Sequence, residues 1–284
     1  MSFNYVIIFL LFLTSLINSQ DIVYQKSLGE FENATAFSFT PTGNFYIADA
    51  GKNDIIKLDT LGNILQSIGG YGWETSTFDE PVDIYATDLR VYVTDKNNNR
   101  IQVFDKDLNY LFMLKTDGNS DDKNNFIYPT SCATSIQGDI YILDSDNSRI
   151  MKYNSEGVFL IEFGGYDSGE FQLVDPIKLG IAQDSKLFVL DDEIVTVFDQ
   201  FGMGLFKLKL DFAAVNLNIT FDNFVVNDER QLYYLNLRNP TKKIAKIIPP
   251  NLPENAVIVE ATIFNNLLYI LTENEILVYS IINI

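Results

Sequence analysis

The sequence predicts an all-β fold, a six-bladed β-propeller of four-stranded antiparallel blades, and three observations carry the prediction. A string of the form G-N-[FL]-Y-[IV]-x-D, then polar residues, then [RD]-I-x-x-[FLY]-[DN], recurs along the chain. It begins at Gly43, Arg90 and Gly138, with a degraded copy from Lys186. The aspartates that end the second strand of each copy, Asp49, Asp95, Asp144 and Asp191, fall 46, 49 and 47 residues apart, a blade-sized period. Within a copy, short β-branched and aromatic runs alternate with turn residues, as in AFSFT, PTGN, NFYIAD, AGKN, DIIKLD, TLGN and ILQSIG. That gives four strands per unit.

The elements follow in order. Residues 1–20 hold an apolar core from Val6 to Leu13 followed by small or polar residues, and read as a signal peptide cleaved near Ser19 or Gln20. The run is too short for a membrane span, which needs about 20 apolar residues, so the mature chain is expected to have none. Residues 21–284 form the propeller, 264 residues or 44 for each of six blades. Pro41-Thr42-Gly43-Asn44 supplies the turn between the first two strands. Leu61-Gly62-Asn63 and Glu156-Gly157-Val158 do the same between the third and fourth. Blades five and six are traced only by a second and a third strand, QLYYLNL with KKIAKII and LLYILTE with EILVYSI. The last unit runs out of chain after its third strand, whereas IVYQKSLG at the mature amino terminus is a spare strand. Pairing that strand beside EILVYSI closes the ring and hides two sheet edges.

The repeats resemble the NHL family of β-propellers. The best match is Tyr92-Val93-Thr94-Asp95-Lys96-Asn97-Asn98-Asn99-Arg100-Ile101, and the likeness is close over residues 31–180 and loose beyond. It implies the fold and leaves the function open, because related propellers include enzymes, RNA readers and protein-binding platforms.

Composition narrows the choice. The net charge is −18, which repels polyphosphates and argues against nucleic acid as a partner. The chain has no histidine, which removes Ser-His-Asp hydrolysis, imidazole bases and imidazole metal ligands. It therefore cannot match the peptide-amidating lyases related to the NHL propellers, which bind zinc through histidines. With Cys132 alone no internal disulfide forms, and this thiol reads as a small buried hydrophobe.

The recurring Asp49, Asp95, Asp144 and Asp191 read as structural: an aspartate at the end of a second strand accepts backbone N–H bonds that organise its hairpin. Arg100 and Arg149, five residues on, are placed to cross the same hairpin. Non-repeated residues are the better functional candidates, because building a blade does not require them. They concentrate in three connections between blades, where Tyr71, Trp73, Tyr128 and Tyr166 stand beside Asp79, Asp121, Asp122, Asp167 and Asp175. Aromatics with carboxylates on loops of a rigid scaffold suit a protein or peptide interface. Two triplets, Asn33-Ala34-Thr35 and Asn218-Ile219-Thr220, match the glycosylation acceptor pattern.

The sequence thus points to an exported monomer, secreted or held in the periplasm or cell envelope. It acts as a noncatalytic platform for a protein, peptide or envelope ligand, with no catalytic residues and no cofactor. The alternative is a Ca²⁺-dependent hydrolase or lyase resembling the gluconolactonase propellers, with carboxylate and amide oxygens from different blades in the central channel. No local motif selects that set.

Overall fold

The computed structural model describes residues 15–16, 22–116, 124–238 and 244–282. Among the described residues it contains six sheets arranged as blades, each built on four antiparallel strands. The first blade is built of Ala34–Phe39, Asn44–Asp49, Asp54–Asp59 and Ile64–Gly69. The second comprises Pro81–Ala86, Arg90–Asp95, Arg100–Asp105 and Tyr110–Lys115. In the third, Pro129–Thr134 leads to Ile140–Asp144, Arg149–Tyr153 and Phe159–Phe163. The fourth runs from Pro176–Ile181 through Leu187–Asp191 and Ile194–Phe198 to Gly204–Lys209.

The fifth blade corrects the strand assignment. Its strands are Asn216–Thr220, Asn223–Asn227, Leu232–Asn236 and Ala245–Ile247, so QLYYLNL and KKIAKII supply the third and fourth strands. The first strand is masked in the sequence because Asn216, Asn218 and Thr220 break its apolar run.

The sixth blade closes the ring as expected. Glu260–Phe264, Leu267–Leu271 and Ile276–Ile281 are its inner strands, and Ile22–Leu28 is the outermost, antiparallel to the third with Ile22 opposite Ile281 and Leu28 opposite Ile276. The amino-terminal strand is pinned at its ends, since only Ile22 and Leu28 are buried. The predicted signal peptide lies outside the described residues except for Ser15–Leu16, which run parallel to Ala245–Lys246. Among the described residues no helix is long and apolar enough to cross a membrane.

Each second strand is buried along nearly its whole length because a blade is covered on both faces. Successive side chains point to opposite faces of a strand, and Asn44–Asp49 shows the result. Phe45 and Ile47 enter the seam with the sixth blade, while Tyr46 and Ala48 enter the seam with the second. Six apolar clusters result, one per seam. The turns between third and fourth strands repeat one device. Asp59 Oδ1 accepts the N–H groups of Leu61 and Asn63, both at 2.9 Å, with Gly62 at φ +92° between them. Asp105, Asn154 and Asp199 cap the equivalent turns. First strands of neighbouring blades meet around the axis, and their inner edges line the channel.

Candidate functional site

The connections entering each blade and the turns between second and third strands lie at the same strand ends, and so on one face. The repeated aspartates tie the two together. Asp49 accepts N–H bonds from Glu32 (3.0 Å) and Asn33 (2.9 Å), Asp95 from Asp79 (2.8 Å), Asp144 from Ile127 (3.0 Å) and Asp191 from Val174 (3.0 Å) and Asp175 (2.7 Å). Each donor lies 16 or 17 residues upstream. These carboxylates therefore anchor the incoming connection; a bond inside the hairpin itself is seen from Gly51 N–H to Asp49, at 3.2 Å.

Arg100 extends the clamp. Its Nε donates to Asp95 Oδ2 at 2.6 Å, Nη1 donates to the Trp73 carbonyl at 2.6 Å, and Nη2 donates to the carbonyls of Glu74 (3.0 Å) and Thr77 (2.8 Å). Burial pushes the Asp95 carboxyl up, against the lowering pull of Asp79 N–H, Arg100 and Asn98. In the third blade Arg149 repeats the pattern with Asp144 at 2.8 Å and the Asn125 carbonyl at 2.7 Å, and adds a contact with Glu162.

The clamp holds backbone and leaves aromatic side chains outside. Trp73 is 67% exposed, Tyr71 69%, Tyr128 44% and Tyr166 87%. Tyr71 and Trp73 stand on one locked connection, stapled below by Phe78, which bridges back to Tyr71. Tyr128 donates its N–H to Asn99 Oδ1 of the preceding blade at 2.7 Å. Tyr166 and Asp167 open a separate short 3-10 turn, Tyr166–Phe171, and both are exposed. Asp79 is half-buried and accepts from Asn97 Nδ2 at 3.1 Å. Asp175 is exposed and lines a cavity of about 340 Å³ with Lys178 and Asn216. Asp121 and Asp122 lie outside the described residues.

A second constellation, missed in the sequence, sits on the axis. Lys178 Nζ lies 2.5 Å from Asp83 Oδ1 and 3.5 Å from Glu260 Oε1. Asp83 Oδ2 accepts from the Ser131 hydroxyl (2.6 Å) and Cys132 N–H (3.1 Å), and Oδ1 also from Ile84 N–H (2.9 Å). Glu260 accepts from Asn218 Nδ2 at 2.7 Å and from Phe37 N–H at 3.1 Å. Burial disfavours the Lys178 ammonium, but Asp83 and Glu260 outweigh it and hold its pKa above 10.5. Burial raises the Glu260 carboxyl above 4.5 despite Lys178, and with the Asp83 charge it raises the Cys132 thiol. A signal for this set was present: Asp83, Ser131 and Lys178 each stand two residues after the proline that opens a first strand, past a bulge in each pairing. Aligning the prolines exposes one register position that holds an acid, a hydroxyl and a base.

This donor set does not fit a Ca²⁺ ion. The ammonium of Lys178 already stands between the carboxylates, where a dication would have to bind six to eight oxygens. Among the described residues no group of three or more His, Cys, Asp or Glu is arranged to hold a metal.

The family model described as NHL repeat matches residues 78–104. Protein brain tumor of Drosophila melanogaster is 28% identical over 102 residues, which cover 34% of this chain and 10% of that protein. The match thus spans about a tenth of that relative's length. A streptogramin B lyase structure superposes with a TM-score of 0.67 at 13% identity, covering 93% of this chain and 99% of the other. A catalytically inactive histidine-to-alanine variant of virginiamycin B lyase from Staphylococcus aureus, solved with quinupristin, gives 0.65 at 13% identity over 92% and 99%. A chain of the Nidogen/Laminin complex gives 0.60 at 16% identity over 77% and 81%. At these identities the structural likeness establishes the fold alone.

Proposed function

We propose that this chain, an NHL-repeat β-propeller, is an exported, monomeric, noncatalytic platform that captures a protein or peptide on its loop-bearing face. The observation that carries the reading is the contrast at residues 71–78. Arg100 and Asp95 lock the backbone there with buried charge-assisted bonds, yet Trp73 and Tyr71 project into solvent. A rigid aromatic surface loses little entropy on binding, and Trp and Tyr dominate interface hot spots. A chain of like fold occurs in the Nidogen/Laminin complex, an assembly of two proteins. The net charge of −18 suits a partner with a basic surface, which the propeller would attract over a Debye length of about 8–10 Å.

The likeness to streptogramin B lyase and the buried carboxylates of the channel favour a second reading, a lyase or hydrolase acting in the channel. Against it, the related virginiamycin lyase variant is inactive with a histidine replaced, and this chain contains no histidine.

The test is capture of partners from the native extracellular or envelope fraction by immobilised wild type and by the Trp73→Ala/Tyr166→Ala double variant, with the captured species identified. The platform reading expects at least a tenfold loss in the variant, about 1.4 kcal/mol or more. Undiminished capture removes this face. Turnover of a lactone or ester that depends on Glu260 would replace the reading with the enzymatic one.

A further inference from the structure

The channel holds a second cavity, of about 440 Å³, on the side of the axial ion cluster away from the loop-bearing face. Its floor is Asp83, Lys178, Glu260 and Asn218, and it runs to a rim that includes Asp88 and Gln183 on turns between first and second strands. Its walls mix apolar and polar groups, the partly exposed Tyr85 and Ile219 standing beside Thr134, Ser135 and Thr220. The volume lies in the usual range for small-molecule sites, about 300–1,000 Å³.

The floor is unbalanced in charge. Two carboxylates face one ammonium, and all three residues are under a tenth exposed. Asp83 is saturated, with four donors on its two oxygens. Glu260 is not: it takes two hydrogen bonds, and Lys178 stands 3.5 Å from it against 2.5 Å from Asp83. A carboxylate has about four acceptor positions, so Glu260 retains acceptor capacity and is the less closely paired of the two carboxylates. A structural plug would be expected to neutralise itself, since an unpaired buried charge is costly.

We propose that this cavity binds a small organic ammonium compound, its apolar body against the aromatic and aliphatic walls and its charged nitrogen on Glu260. An anion is disfavoured because Lys178 is already engaged and both carboxylates would oppose it. Burial raises the Glu260 carboxyl above its ordinary value, against the lowering pull of Lys178. The other ionisable groups facing this point are Asp83, Lys178, Cys132 and Tyr85, with Asp88 at the rim.

Benzylammonium, benzyl alcohol and benzoate are isosteric probes of charge. Each is titrated into the wild-type chain by calorimetry and by thermal unfolding up to ~10 mM, which covers millimolar affinity and tighter. Benzylammonium should bind saturably. The alcohol should bind at least tenfold more weakly and benzoate should give no shift. Glu260→Gln should weaken benzylammonium at least tenfold, and Glu156→Ala, on an exposed outer turn away from both cavities, should leave it unchanged. Equal binding of alcohol or benzoate, or no saturable benzylammonium signal, overturns the proposal. Should Glu260→Gln fail to fold, the charge series on the wild type decides the matter alone. Because Trp73 and Tyr166 lie on the opposite face, their double variant should bind benzylammonium like wild type, whatever happens to partner capture.

Discussion

Arg100 and Asp95 form an ion pair at 2.6 Å in which both side chains are sealed from solvent, at 1% and 0% exposure. Desolvating such a pair is expensive, and its geometry has to compensate. Here the remaining guanidinium donors go to three backbone carbonyls of one connection, so the pair is also the foundation of the loop above it. Arg100→Ala strands a buried carboxylate and should cost about 3–5 kcal/mol. Chemical denaturation measures the loss, and limited proteolysis should show new cleavage within residues 71–77. Arg149→Ala should cost less, because its side chain is 14% exposed. Equal costs, or an Arg100 effect below about 1 kcal/mol, would contradict this account.

Ring closure makes the two ends of the propeller interdependent. Ending the chain at Glu275 removes Ile276 and Val278 from the first-to-sixth seam and Leu277, Tyr279 and Ile281 from the fifth-to-sixth seam. It also leaves Ile22–Leu28 without a partner strand. Burial of each such side chain contributes roughly 1.5–3 kcal/mol, and five of them rival the whole stability of a domain, about 5–15 kcal/mol. The truncated chain should show no cooperative thermal transition. A sharp transition near that of the full chain would mean that the ring does not depend on this strand.

The contrast between what the sequence disclosed and what it hid has a physical basis. Blades one to four repeat Asp at the end of the second strand because each has to anchor its own incoming connection, so one structural need prints one recurring residue. Closure by IVYQKSLG was legible because a missing fourth strand and a spare strand are complementary. The second strand of blade five was hidden because Asn227 replaces the aspartate and donates to the Ile258 carbonyl at 3.1 Å. The axial set was hidden for the opposite reason. Asp83, Ser131, Lys178 and Glu260 occupy first strands yet differ in chemistry, so no recurring residue type marks them and only aligning the strand-opening prolines shows that three share a register position; Asp83 and Lys178 are 95 residues apart. Only closure of the ring brings them within bonding distance.

Trp73 and Phe78 share one connection and should respond oppositely to truncation. Phe78 is fully buried in the seam of the first two blades, and its N–H and C=O bond to Gly70 (2.9 Å) and Gly72 (3.0 Å). Phe78→Ala should therefore cost about 3–5 kcal/mol by denaturation. Trp73→Ala and Tyr166→Ala should stay within about 0.5 kcal/mol of wild type. A large destabilisation by Trp73→Ala would make that side chain architectural and weaken its assignment to the interface.

The axial cluster sets a pH dependence whose sign is fixed by the directions of its shifts. Burial raises the folded-state Glu260 carboxyl above 4.5, so the folded protein holds that proton more tightly than the unfolded chain does. Its contribution is present at low pH and is lost as pH rises through the folded value. Wild type should therefore lose stability relative to Glu260→Gln as pH climbs from 4.5 toward neutrality. Lys178 acts at the other end: its pKa is raised above 10.5 by Asp83 and Glu260 in spite of burial, so its contribution persists below 10.5 and fades above it. Unfolding free energies of wild type and Glu260→Gln, measured from pH 4 to 8 at fixed salt, give the difference curve directly. A difference that grows in favour of wild type with rising pH would mean that the carboxylate is stabilised by Lys178 more than burial penalises it. In that case Glu260 would be a settled ion-pair partner, with no excess charge to offer a ligand.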